Sequence, residues 1–474
     1  MSDAPRYTVF FGCLVDTPTF GSLRIRPDAA LGVDHTNGRI LGISENPSIP
    51  APQLIAQWIN TEPPSSTTVS TVHLTRDQFL MPGLIDTHTH APQFTFLGIG
   101  HDLPLMEWLE KYTFKHESEF KDASVAREFY HTVVDRVLRQ GVTFAAYYGT
   151  IHVQATHILA NAIRSKGQRA FVGKVCMDAN APDYYVETTE ETLRGTEEFI
   201  LGMLQEPGDR PALVQPIVTP RFAPTCSSKC LSGLGALARK YNVPVQTHLC
   251  ENPSEIQFAR SCFPESSSYT DIYASAGLLG HRSIMAHCVH MGERDLQLLQ
   301  QTGAGVSHCP TSNFALGSGL ADVRRMVAHG IPVGLGTDVG GGYSASMMDA
   351  MRMACAANRA LLAAKRQRGE RLQGREDVPL DAGEALFLAT QVGADVMGLG
   401  DSLGTLDEGK LFDALVVDLA VANSPVPGVP QTPAVARLSD PQEAWHLRLE
   451  QFVFLADDRN ISRVYVDGRL VHSA

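Results

Sequence analysis

With 474 residues, 44% of them hydrophobic and 19% charged, the chain has the composition of a globular protein longer than one small domain. A formal net charge of −12 argues against nucleic-acid partners, whose phosphates need clustered Lys and Arg, and no run approaches the roughly 20 apolar residues of a membrane span. Nine cysteines scattered from Cys13 to Cys355 do not read as a disulfide framework, and Met1–Tyr7 lacks the features of a secretory signal, so free thiols and a cytoplasmic setting are expected.

Residues 1–78 read as strand-rich and turn-punctuated, with strands over Thr8–Leu23 and Gly38–Ile43, and form the N-terminal part of a small β domain. From His73 to about Val339, short apolar strands alternate with helical stretches, the pattern of βαβ units. The strands are Met81–His88, Thr143–Tyr148, Ala170–Met177, Leu213–Thr219, Val243–His248, Ser283–His287, Gly305–His308 and Ile331–Asp338. Helices are expected over Ser124–Gln140 and Glu191–Gln205, and over Met347–Ala364 after the last strand. Eight such strands close an α/β fold, a (β/α)8 TIM-like barrel of about 250 residues or more, assigned to residues 79–400. Charge-rich Arg366–Glu376 reads as an exposed loop between helices, and Ala422–Pro433 as a Pro-rich extended connector. Residues 401–474, with strands over Ala414–Asp418 and Ser462–Val471, complete the small domain as a β-sandwich.

Four barrel strands deliver metal-ligating or acid/base groups to their ends. His88 and His90 are two residues apart on one strand and so point to the same side. His248, His287 and Asp338 close three further strands. Catalytic groups of a (β/α)8 barrel gather at the C-terminal strand ends, and unrelated core histidines would not recur there. Imidazole and carboxylate suit zinc, and an open site of this kind makes water a nucleophile near neutral pH.

Other motifs lead elsewhere. Gly404–Lys410 has P-loop spacing but continues with Leu411 where a magnesium-binding hydroxyl belongs, so it reads as a turn into the terminal strand. His116-Glu-Ser-Glu-Phe120 begins like a helical zinc-protease motif but ends in Phe120, and reads as a solvated helix face. Gly340–Gly342 lets the chain turn tightly beside Asp338, and the Cys226/Cys230 pair reads as structural.

The stretches Met81-Pro-Gly-Leu-Ile-Asp-Thr-His-Thr-His90, Leu105–Leu109, Thr219–Cys226, His248–Asn252 and Gly336–Tyr343 resemble the amidohydrolase superfamily, and within it the guanine deaminases, over nearly the whole chain. The resemblance implies one zinc per chain on His88, His90, His248 and Asp338, with His287 beside it as ligand or hydrogen-bond partner. It implies that Gln93, Trp108, Arg221, Phe222 and His248 contact the purine. Independently, a guanidinium offers paired donors to a carbonyl and ring nitrogen, and a phenyl ring a stacking face. Glu251, three residues past His248, is the expected general acid/base, carrying a proton from water to N3 during attack on C2. Asp338 would help protonate the departing amine, leaving xanthine and ammonia. Two-metal relatives use a carboxylated lysine where this chain has Thr219-Pro-Arg221, and Lys174 stops short of its strand end, so one metal is expected. A homodimer follows from the family alone. Two rivals stay open: a deaminase or dechlorinase of another ring, such as a triazine, cytosine or an adenosine derivative, and a barrel scaffold without activity.

Overall fold

The apolar run before the two histidines is two strands in different sheets. In the computed structural model, which describes residues 5–64, 67–205, 212–371, 374–426 and 441–474, Gln78–Pro82 pairs with Tyr7–Thr19 and with Ala414–Asp418 in the small domain. The barrel begins at Leu84–His90. Between them Gly83 lies so close to Thr143 that an added Cβ would sit 2.0 Å from its hydroxyl. Met81 therefore belongs to the small domain rather than to the first barrel strand, a difference that apolar continuity alone conceals.

The other barrel strands are Val142–Tyr148, Arg169–Gly173, Val214–Pro216, Val245–Leu249, Ser283–His287, Gly305–His308 and Val333–Leu335, with short parallel extensions at Val175–Cys176 and Thr219–Pro220. All neighbours pair in parallel, in two four-stranded halves. A parallel bridge between Val218 and Val245 joins the halves on one side. On the other, the Asp338 amide donates to the His88 carbonyl at 2.8 Å and the His90 amide to that of Val339 at 3.0 Å. The closed (β/α)8 barrel is thus formed.

Strand alternation decides what faces where. Phe144 and Ala146, two residues apart, join Ile85, Phe171, Ile217 and Ile284 in one apolar cluster, while Ala145 and Tyr147 pack in the main core with helix residues such as Val133 and Leu159. Helix Ala123–Arg139 buries Val133, Val134 and Val137 at helical spacing. Helix Thr189–Leu204 starts with a capping box between Thr188 and Glu191.

In the small domain, hydrogen bonds join eight strands from both chain ends into one sheet. Apolar residues line both faces: Phe10, Leu31, Leu80 and Phe412 cluster separately from Val9, Ala30, Leu54 and Ile55. The strands Ser22–Asp34 and Val69–His73 and the helix Ala51–Trp58 were not legible in the sequence. Nor was helix Pro441–Leu455, which sends Leu449, Phe452 and Val453 into the main core. Arg169, at the start of the third barrel strand, forms a buried bidentate pair with Asp413 at 2.9 and 3.0 Å. The helix from Met347 runs to Gln367, into the expected loop. Residues 372–373 of that loop and 427–433 of the Pro-rich connector lie outside the described residues. Among the described residues no helix is long and apolar enough to cross a membrane.

Candidate active site

Asp86, in the first barrel strand, explains how the two ends of the barrel meet. Its carboxylate accepts from the Thr337 amide and hydroxyl at 3.0 and 2.6 Å and from the His88 amide at 3.2 Å, which fixes the strand bearing Asp338 beside the strand bearing His88 and His90. Asp338 and His287 both lie in the left-handed region, at φ of 46° and 71°. Such a conformation costs a non-glycine residue on the order of 1–3 kcal/mol, and clusters where function demands an aimed side chain. Gly341 and Gly342 are required by close approach: an added Cβ would lie 2.7 Å from the Ser312 hydroxyl and 2.1 Å from the Thr337 carbonyl. The tight turn beside Asp338 is borne out.

His88, His90, His248 and Asp338 converge on one point. The His90 Nε2 lies 3.2 Å from both the His88 and the His248 Nε2, and Asp338 Oδ1 lies 3.1 and 3.3 Å from the His88 and His90 Nε2 atoms. Donors about 2.0–2.1 Å from a tetrahedral zinc are about 3.3 Å apart, so these atoms have the mutual spacing of a ligand set. Protonation supports it. The His248 Nδ1 donates to the Arg221 carbonyl at 2.6 Å, which turns the Nε2 lone pair inward. Burial holds His90 at about 4 and His248 well below the usual imidazole value, in the neutral, ligating form. Burial alone would push the Asp338 carboxyl up, but the histidines around it hold it well below the usual range. The residues therefore fit a zinc ion.

His287 stands at the edge of this set. Its Nδ1 donates to Asn313 Oδ1 at 3.0 Å, and its Nε2 lies 3.5 Å from Glu251 Oε2 and 3.7 Å from Asp338 Oδ2. Glu251 accepts from the Ser318 hydroxyl at 3.0 Å. Burial, then the Asp338 charge, pushes its carboxyl up to about 8. Glu255 holds the loop that carries it, accepting from the Glu251 and Asn252 amides at 2.8 and 3.2 Å and from the Tyr269 hydroxyl at 2.7 Å.

An adjoining cavity is lined by Gln93, Trp108, Arg221, Phe222, Leu105, Leu109 and Leu316, with Glu251 and Asp338 at the metal side. Trp108 donates its indole N–H to the Ile99 carbonyl at 3.0 Å, so its ring presents apolar surface. Arg221 serves both halves of the site: its carbonyl orients His248, and the residue lines the cavity.

The sequence reading misplaced one residue of consequence. Glu117 is fully buried, and Phe120 nearly so, which corrects the solvated-face reading of His116–Phe120. Phe114, Glu117 and Phe120, spaced three apart, share the buried face of that helical stretch, a signal the sequence held. Lys410 is no phosphate ligand: its ammonium donates to Gln391 and to the Gly400 and Leu403 carbonyls, all at 2.9 Å. Lys174 is buried against Glu187 and the Val175 carbonyl. All nine cysteines are free thiols.

Two layers of similarity accompany this geometry. Residues 79–471 match the model of the amidohydrolase family, to which the chain belongs. It is 42% identical over 466 residues to a probable guanine deaminase of Schizosaccharomyces pombe, covering 98% of this chain and 83% of that protein. The guanine deaminase of Dictyostelium discoideum is 39% identical, with 98% of both chains covered. A guanine deaminase from C. acetobutylicum, solved with guanine in its active site, superposes with a TM-score of 0.84 at 34% identity, over 98% of this chain and 100% of that one. Within the amidohydrolase family the chain is thereby one of the guanine deaminases.

Proposed function

We propose that this chain hydrolyses guanine to xanthine and ammonia, and that each site residue takes the role its geometry allows. The observation that carries the reading is the juxtaposition, in one cavity, of a four-donor metal set, a buried carboxylate and an arginine beside an apolar slot. His88, His90, His248 and Asp338 would hold one zinc, and Lys174, directly after the third barrel strand, is committed to Glu187 rather than to that set. Zinc there would supply Lewis acidity that lowers the pKa of water to about 7.

The chain's own groups do the rest. Arg221 spends two of its N–H donors on Glu117 and keeps others for the purine carbonyl. Phe222 and Trp108 offer apolar faces to the ring, and Gln93 a side-chain amide. Glu251, with its raised affinity for a proton and the Ser318 hydroxyl bonded to one of its oxygens, takes a proton from water and returns it to ring N3. His287 Nε2 stands 3.5 Å from Glu251 and 3.7 Å from Asp338, close enough to act on both electrostatically, and Asp338 assists the departing amine. Guanine plus water gives xanthine plus ammonia, so atoms balance without a co-reactant. The homodimer and the cytoplasmic setting belong to the same proposal and rest on the family resemblance.

The test is ammonia release by purified, zinc-loaded protein offered guanine, adenine, cytosine and ammeline separately. Selective release from guanine supports the reading. Faster release from another ring replaces the substrate, and none from any ring favours the scaffold.

A further inference from the structure

We infer that Glu117 is the positioning residue that aims the purine-reading donors, and so sets the preference for a base carrying an oxo group; the inference rests on guanine being the substrate. Glu117 lies behind the cavity wall, fully buried, and does not itself line the cavity. Four donors converge on its carboxylate. Arg221 reaches it with both terminal nitrogens, at 2.7 and 3.1 Å, the Gln93 amide donates at 2.8 Å and the Tyr185 hydroxyl at 2.8 Å.

Those four bonds use the four lone-pair positions of an ionised carboxylate, leaving Glu117 no capacity for a ligand. Its task is to orient others. The fork-to-fork contact fixes the guanidinium plane, and the Phe114 ring, 5.3 Å from the guanidinium carbon, stacks against it. The same carboxylate settles which end of Gln93 is nitrogen, because an acceptor-only group can be met only by the amide N–H. It also neutralises Arg221. Burial would by itself push the Glu117 carboxyl up, but Arg221 holds it below the usual range, so the two form a charge-compensated buried pair.

Glutamine at 117 would keep the shape but lose the charge and two acceptor positions, so Arg221, Gln93 and Tyr185 could not all stay bonded. The diagnostic comparison is guanine against 2-aminopurine, which carries the amine to be removed at C2 but has no oxo group for Arg221 to meet. 2-Aminopurine is followed as substrate or as competitive inhibitor. For Glu117→Gln the guanine kcat/KM should fall about 10- to 100-fold, mostly through KM, as for loss of a hydrogen bond to a charged group. The constants for 2-aminopurine should move by about threefold or less, since it never made that bond. Glu117→Asp, which retains the charge but withdraws it by one methylene, should fall between parent and glutamine variant, and it reads the same ratio if the glutamine variant does not fold. Equal losses on both bases, or no loss on guanine, would overturn the role assigned to Glu117. A parent protein that does not turn over guanine would instead overturn the substrate assignment.

Discussion

Replacing Glu251 by glutamine separates proton transfer from packing more cleanly than any other single change in the site. One carboxylate oxygen accepts from Ser318 at 3.0 Å, a bond that the glutamine carbonyl preserves. The other lies 3.5 Å from the His287 nitrogen, too far for a strong hydrogen bond, so an NH2 group there forfeits little. The cost to folding should be below about 1 kcal/mol, the worth of one ordinary hydrogen bond. The cost to turnover is of another size. A positioned general acid/base contributes about 10²- to 10⁴-fold, on the order of 3–5 kcal/mol of barrier. Zinc content, guanine affinity, thermal unfolding and turnover should be measured on one preparation. The expected outcome is full zinc, near-parental affinity and unfolding temperature, and turnover reduced by at least about 100-fold. Turnover within a fewfold of the parent would remove Glu251 as the proton carrier, and loss of zinc would make it a ligand instead.

Metal analysis should find one zinc per chain, with chelation abolishing ammonia release and zinc restoring it; two tightly held metals would contradict occupation of the His88, His90, His248 and Asp338 set alone, since the alternative group His88, His287 and Cys309 shares His88 with it. Arg221→Lys keeps a charge but replaces the planar fork by a point donor, so guanine kcat/KM should drop about 10-fold or more while the fold survives; undiminished turnover would mean that Arg221 does not read the ring. Arg169→Met leaves Asp413 buried without its partner and should destabilise the protein by about 3–5 kcal/mol in denaturant unfolding, with Asp413→Asn on the same chain recovering part of it. Stability unchanged by Arg169→Met would show that the pair contributes nothing at the junction of barrel and small domain.

Strand ends were the most legible part of this chain, because an apolar segment followed at once by His or Asp is distinctive wherever it recurs. Ser283–His287 and Gly305–His308 coincide with the strands observed. Where the sequence misled, tertiary context was responsible. Met81 continues an apolar run, and only the approach of Gly83 to Thr143 divides that run between two sheets. Ser22–Asp34 carries Arg24, Arg26 and Asp28 among its apolar residues, yet Asp16 of the neighbouring strand binds both arginines, at 2.5 and 3.5 Å. A pattern of hydrophobicity could not reveal that pairing. The metal set and Glu251 followed from position. Glu117, Tyr185 and Ser318 did not, because their partners lie far along the chain, at Arg221, Glu117 and Glu251 respectively.

Guanine turned over by the zinc-loaded protein in ¹⁸O-enriched water tests hydrolysis at C2 most directly. The xanthine formed should carry a single ¹⁸O, at the C2 position, with ammonia released in equal amount. Xanthine without the label, or no xanthine from a protein shown to hold its metal, would contradict the assignment of this site to hydrolytic deamination of guanine.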